Sequence, residues 1–195
     1  MAAFTDFLDL RSAVYQIVGR TDLNGWFPMI TEMAENWLDH NLRMREQVTS
    51  TTLTVVSGVA TLPTNFVEMI GVYNAFGQEY IAQPLQNTRM ASQRDYWSIS
   101  GTTFKTKGPD GAYAIEYYAE LPTLTSTPST SNWLLARYPS LYLYAVATEA
   151  AKWIKDVDLA MAMGQLRDGA MRDAMMADNS ARYSRVRVRV GGVTP

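Results

Sequence analysis

The chain has 195 residues and a formal net charge of −2; 47% of it is hydrophobic, 11% aromatic and only 18% charged. That charge content is below the roughly 25% of ordinary soluble domains, so a chain with five Trp and eleven Tyr is expected to bury part of its surface against partners. The absence of cysteine excludes disulfides, thiolate metal sites and Cys nucleophiles, and the slight acidity speaks against general nucleic-acid affinity.

In chain order, Phe4, Phe7, Leu8, Leu10, Val14, Ile17 and Val18 recur at three- and four-residue spacing, which predicts an amphipathic helix. Thr5 or Asp6 is its expected N-cap and Gly19 its stop. A second helix is predicted over Trp26 to Arg45, with Pro28 in its first turn and Ile30, Met33, Ala34, Trp37, Leu38 and Leu42 along one stripe. The short link between them predicts antiparallel neighbours.

At Val48 the period changes to two. Thr52–Val56, Ser57-Gly58 and Val59–Leu62 read as a β-hairpin closed by Pro63. Val67–Asn74, Thr102–Thr106 and Tyr113–Tyr118 are further strands, with a helical turn expected over Arg89–Tyr96. Leu121–Ser131 holds two Pro and seven Ser or Thr and reads as a surface linker. From Asn132 to Ala177 the pattern is helical again, with one helix starting near Ser140 and another capped by Asp158.

The predicted organisation is therefore an N-terminal helical pair (1–47), a β region (48–120), a linker (121–131), a C-terminal helical pair (132–181) and an extended basic arm (182–195). The fold class is α+β, with terminal helices bundled around a small inserted antiparallel β region. No apolar run reaches the roughly 20 residues of a membrane span, and nothing at the N-terminus resembles a secretory signal. The expectation is a protein made in the cytoplasm, without membrane contact.

The last segment is unusual. Arg185-Val186-Arg187-Val188-Arg189-Val190 alternates without a break, giving an extended strand one basic and one apolar face. With Arg182, these arginines are four of the seventeen basic residues; the other thirteen face nineteen acidic ones, a body near −6. Such a strand needs an acceptor, either a sheet edge or an acidic neighbour. Nucleic acid is the competing partner.

The lone His40 cannot build a multi-histidine metal site and has no triad spacing. Glu32, Glu35, Asp39, Glu68, Glu79, Glu116 and Glu149 are dispersed, though two of them meeting in space would make a hydrolase-like dyad. No cofactor or metal is expected. Met161, Met163, Met171, Met175 and Met176 read as adaptable core or as a partner-moulding surface. Trp133, Tyr138, Tyr142 and Tyr144 cluster where linker meets helix, as core or as interface anchors.

Several of these stretches also resemble the adaptor proteins of tailed bacteriophages. They include Leu10-Arg11-Ser12-Ala13-Val14, Gly19-Arg20-Thr21-Asp22-Leu23, Leu42-Arg43-Met44-Arg45-Glu46 and Leu62-Pro63-Thr64-Asn65-Phe66-Val67-Glu68. Pro84-Leu85, Tyr117-Tyr118 before Leu121-Pro122, and the run from Asn132 to Ala145 continue the likeness in order. The resemblance implies a non-enzymatic virion protein of the head-to-tail neck, assembled as a ring, typically a dodecamer, beneath the portal protein. That ring would offer a platform to tail or nozzle proteins and surround genomic DNA passively, with the C-terminal arm (Arg182, Arg185, Val186, Arg187, Val188, Arg189, Val190) against the portal or a neighbour. A wall-degrading virion enzyme and a DNA-binding packaging accessory acting through Arg185, Arg187 and Arg189 stand as alternatives.

Overall fold

In the computed structural model, which describes residues 4–83 and 96–183, the chain divides into two compact units. One takes in residues 1–45 and 121–195, the other residues 46–120.

The helical unit begins with α1 (Phe7–Val18). Asp6 caps it, its carboxylate accepting from the amides of Leu8 at 2.9 Å and Asp9 at 3.1 Å. Gly19 closes it in the left-handed region (φ 68), its amide donating to the Tyr15 carbonyl at 2.9 Å. The second helix, α2 (Phe27–Asn41), ends four residues before its predicted limit, because Leu42 turns to extended backbone. Phe7 meets Phe27 edge to face at 5.3 Å between ring centroids.

Three more helices follow the β unit in sequence: α3 (Trp133–Arg137), α4 (Pro139–Trp153) and α5 (Val157–Tyr183). Every residue from Ala145 to Ala151 on α4 is buried. A helix buried all round is a central helix, packed here against α1, α2, α3 and α5. The helix α5 starts earlier than predicted, since Asp156 rather than Asp158 accepts the Leu159 amide, at 3.0 Å. It runs on through Gly164 and Gly169 to Tyr183.

Arg182, predicted to open the extended arm, is therefore helical; its Nε lies 2.7 Å from Asp178. Arg185 to Val190 lie outside the described residues, as do residues 89–95 of the predicted helical turn, while Tyr96 begins a strand.

The segment read as a surface linker is tied to α2. Leu121 and Leu124 are buried, and their amides donate to Asp39 Oδ1 at 2.8 Å and Glu35 Oε1 at 2.9 Å.

Among the described residues the second unit contains seven strands: β1 (Val48–Val55), β2 (Val59–Thr61), β3 (Phe66–Tyr73), β4 (Ile81–Ala82), β5 (Tyr96–Ser100), β6 (Thr103–Thr106) and β7 (Gly111–Ala119). They form a three-stranded sheet in the order β1-β7-β3 and a four-stranded sheet in the order β2-β6-β5-β4. Val72, Phe104, Tyr113, Ile115 and Tyr117 are buried in a core of this unit's own.

This overturns the expectation of a helical bundle around a small antiparallel insert. The β region is two sheets with a separate core, and β4 pairs with β5 in parallel. The physical reason is that β4 has only two residues, too few for a period of two to register, and that β5, of five residues, is not predicted either, so the partners that complete the second sheet go unseen. The predicted hairpin also changes meaning. Ser57 (φ 53) and Gly58 (φ 73) make the predicted two-residue turn, with Val56 and Val59 bonded across it at 2.9 and 3.1 Å, yet β1 and β2 enter different sheets, so the hairpin tip is also a corner between sheets.

Candidate interaction surfaces

A binding protein works through side chains that its own fold leaves uncovered, and the described residues offer several. On the helical unit, Trp26 at the start of α2 is 54% exposed and Trp153 at the end of α4 is 41% exposed. Their rings lie 5.3 Å apart, tilted by 38°. Each indole covers part of the other and still presents a large apolar face. On α5, Val157 and Met161 are exposed one turn apart, and Leu166 and Met176 are exposed further along. The predicted methionine run thus splits: Met161 and Met176 face solvent, while Met171 and Met175 pack against the core.

The β unit presents Phe76, 90% exposed, at the tip of a turn built to hold it. Asn74 Oδ1 accepts from the Phe76 amide at 2.9 Å and the Gln78 amide at 3.0 Å, while Gly77 supplies φ 78. A cleft of 180 Å³ lies beside it, lined in part by Pro109, Asp110 and Tyr113. Asp110 also fixes the corner between sheets, accepting from the Ser57 amide at 2.8 Å and the Gly58 amide at 3.0 Å. These two bonds hold its carboxyl below the usual carboxylate range. Val56, at the same corner, is 64% exposed. Phe76 carries no sequence signal, because an isolated apolar residue in a turn has no period; only Asn74 and Gly77, as turn formers, mark the place.

The aromatic cluster predicted at the linker separates in the same way. Tyr142 is fully buried, whereas Trp133 and Tyr138 are half-buried against the core, and Tyr144 is half-buried. Beside Tyr138 lies a cleft of 300 Å³ between the start of α4 and α5, lined by Arg137, Ser140, Leu141, Asp173 and Ala174 among others.

Of the carboxylates considered for chemistry, Glu35, Asp39 and Glu149 have structural partners. Glu35 is 4% exposed, accepting at Oε1 from both the Leu124 amide and the Tyr142 hydroxyl. Burial raises its pKa above the ordinary value in spite of those two donors. Burial likewise pushes the Tyr142 hydroxyl well above its normal range, with the neighbouring Glu35 adding to the effect. Asn132 joins this junction, its amide nitrogen donating to the Pro122 carbonyl at 2.8 Å and its Oδ1 capping α3 through the Leu135 amide at 2.9 Å. A carboxylate sealed at 4% exposure offers a substrate no approach. Glu149 is bound to Lys152 at 2.6 Å, and Asp178 holds Arg45 and Arg182. His40 is exposed on α2 with Nδ1 at 2.6 Å from the Asn36 carbonyl. Among the described residues, no three His, Asp or Glu side chains gather to hold a metal, and no helix is long and apolar enough to cross a membrane.

The family model described as SU10 adaptor protein matches residues 5–190, nearly the whole chain. Comparison with curated proteins gives no match.

Proposed function

The chain belongs to the SU10 adaptor protein family, and from that premise we propose that it is a structural subunit of the phage head-to-tail neck, assembling as a ring on the portal protein. Its stoichiometry would be that of a dodecamer, around a channel through which genomic DNA passes without specific contact. Tail or nozzle proteins would attach to the face away from the portal. The observation that carries this reading is the set of large side chains left uncovered on ordered elements: the Trp26–Trp153 pair and Phe76. Aromatic residues held in one geometry are the anchors that protein interfaces use, since they bury much area at small cost in side-chain entropy. Trp133, Tyr138 and Tyr144 belong to the same set of contacts.

The alternating Arg–Val arm is the docking segment. Its arginines carry a charge opposite to that of the body, which suits a neighbouring protein of the acidic composition this chain itself has. The acidic body also suits a DNA conduit, because like charge keeps the genome from adhering to the wall. The test is native mass spectrometry of the purified chain, alone and mixed with the portal of the same phage. A ring, or a portal complex carrying many copies, is expected; monomers under both conditions overturn the proposal.

A further inference from the structure

Strand edges are where the β unit is chemically incomplete. An exposed edge presents a row of unpaired amides and carbonyls, and folded proteins protect such edges with short strands, bulges, prolines or charges. Three of the edges here are protected in this way. β4 has two residues, and β2 has three and runs toward Pro63. β3 carries register shifts at Phe66/Glu68 and Met69/Gly71 and an exposed Glu68. The remaining edge, β1, has none of these devices. Its eight residues, Val48-Thr49-Ser50-Thr51-Thr52-Leu53-Thr54-Val55, contain no charge and no proline. They pair with β7 in unbroken register from Val48↔Tyr118 to Val55↔Gly111, and among the described residues no second strand pairs with them; just past their end, Val56 and Val59 exchange amide–carbonyl bonds of 2.9 and 3.1 Å at the corner. Thr49 to Thr52 are exposed on both faces of the sheet.

We propose that the outer edge of β1 is the acceptor for residues Arg185–Val190 of a neighbouring copy of this chain, which adds as a further strand of the sheet; the inference rests on the ring reading above. Three features match. The first is length: an extended six-residue segment covers about 20 Å, inside the roughly 27 Å of β1. The second is the pairing of faces. On one face of the sheet Leu53 and Val55 are buried beside Tyr113, Ile115 and Tyr117, and the row continues at the edge with the exposed Thr49 and Thr51. Val186, Val188 and Val190 would extend this apolar face. On the other face Val48, Ser50, Thr52 and Thr54 are exposed, with Glu116 opposite Ser50. Arginines on that side would lie over the hydroxyl row. The third is charge: Glu116 stands two strands from an incoming arginine, about 10 Å at ordinary strand spacing and within screening distance at moderate salt.

The chain has no cysteine, so disulfide trapping in the full-length protein reports on this pairing directly. One population carries Thr51→Cys or Ser50→Cys; the other carries a single Cys at one of the positions 185 to 190. The two are mixed with portal, checked for rings by native mass spectrometry, and oxidised gently. The expected product has twice the chain mass and obeys parity. Thr51→Cys links to former valine positions and Ser50→Cys to former arginine positions, each at least about fivefold over the crossed combinations, because neighbours on one face of a sheet approach within reach of a disulfide. Rings without parity-matched links overturn the β1 acceptor and leave the ring reading standing, as do rings in which Thr51→Cys links only to its own kind. Monomers throughout overturn the ring reading and the exchange with it.

Discussion

The Tyr142 hydroxyl donates to Glu35 Oε1 in the interior of the helical unit, joining residues 107 positions apart. The same oxygen accepts from the Leu124 amide at 2.9 Å, so one carboxylate holds α2, α4 and the 121–131 segment together. Because burial raises the pKa of Glu35 above 4.5, the folded state keeps a proton that the unfolded chain has already released. Stability from this group is therefore fullest below pH 4.5 and falls as pH rises through the raised folded value. Glu35→Gln keeps an acceptor for both donors and has no proton to lose. Urea unfolding of the two proteins from about pH 4 to 8 is expected to show wild type losing stability relative to Glu35→Gln as pH rises. A constant difference across that range would exclude the mechanism. Glu35→Ala, which strands two donors, should cost about 2 kcal/mol or more at every pH.

Tyr142→Phe isolates the other half of the pair. The ring and its packing remain, while Glu35 loses a donor that favours its charged form. The variant should lose about 1 to 2 kcal/mol near neutral pH, and its stability should fall over a wider pH range than that of wild type. Calorimetry at about pH 5 and pH 8 checks both statements. An equal loss at the two pH values would mean that the hydroxyl does not tune the carboxyl.

Two glycines with nearly the same backbone give a controlled contrast. Gly19 (φ 68) ends α1 with nothing within 4 Å of the place an added Cβ would take, whereas at Gly58 (φ 73) a Cβ would sit 2.6 Å from the Thr106 carbonyl oxygen. That oxygen belongs to backbone that is itself fixed, the Thr106 amide donating to the Gly58 carbonyl at 2.9 Å. Gly19→Ala should cost about 1 kcal/mol, the left-handed penalty alone. Gly58→Ala should cost roughly 3 kcal/mol, since the penalty is joined by a clash that opens the corner between the sheets. Hydrogen exchange at Ser57 and Gly58, whose amides Asp110 holds, should rise only in the second variant. Equal losses from the two substitutions would show that the Thr106 contact is yielding.

The two glycines also show where the sequence is readable. Gly19 and the Ser57-Gly58 turn announce themselves by residue type, and α1 and α2 by long periodic stripes, because these signals are local. The segment after Ala119 misleads: its Pro, Ser and Thr suggest a loose linker, while Leu121 and Leu124 are buried against α2 through bonds to Asp39 and Glu35, contacts 82 and 89 residues distant. The two-sheet β unit is hidden for a related reason. Strands of two to five residues are fixed by their neighbours rather than by their own pattern, as with β4 beside β5. Tyr142 and Tyr144, two residues apart, look alike in sequence, and only the packing of α4 sends one into the core and leaves the other half-buried. Phe76 and the Trp26–Trp153 pair become legible only once the turn and the helix ends are in place.

Phe76 separates folding from assembly. At 90% exposure it gains almost nothing from the fold around it, and its turn is held by Asn74 and Gly77 rather than by the ring. Phe76→Ser should therefore leave thermal stability within about 0.5 kcal/mol of wild type, as surface substitutions do. If the ring is an interface anchor, the same change removes a large apolar side chain from a buried contact, a loss of about 2 kcal/mol and roughly thirtyfold in affinity. Thermal melts combined with native mass spectrometry in the presence of portal read the two quantities separately. Unchanged stability with weakened assembly is the expected pair of results. Unchanged stability with full assembly would place Phe76 outside every contact and leave the Trp26–Trp153 face as the aromatic surface to test next.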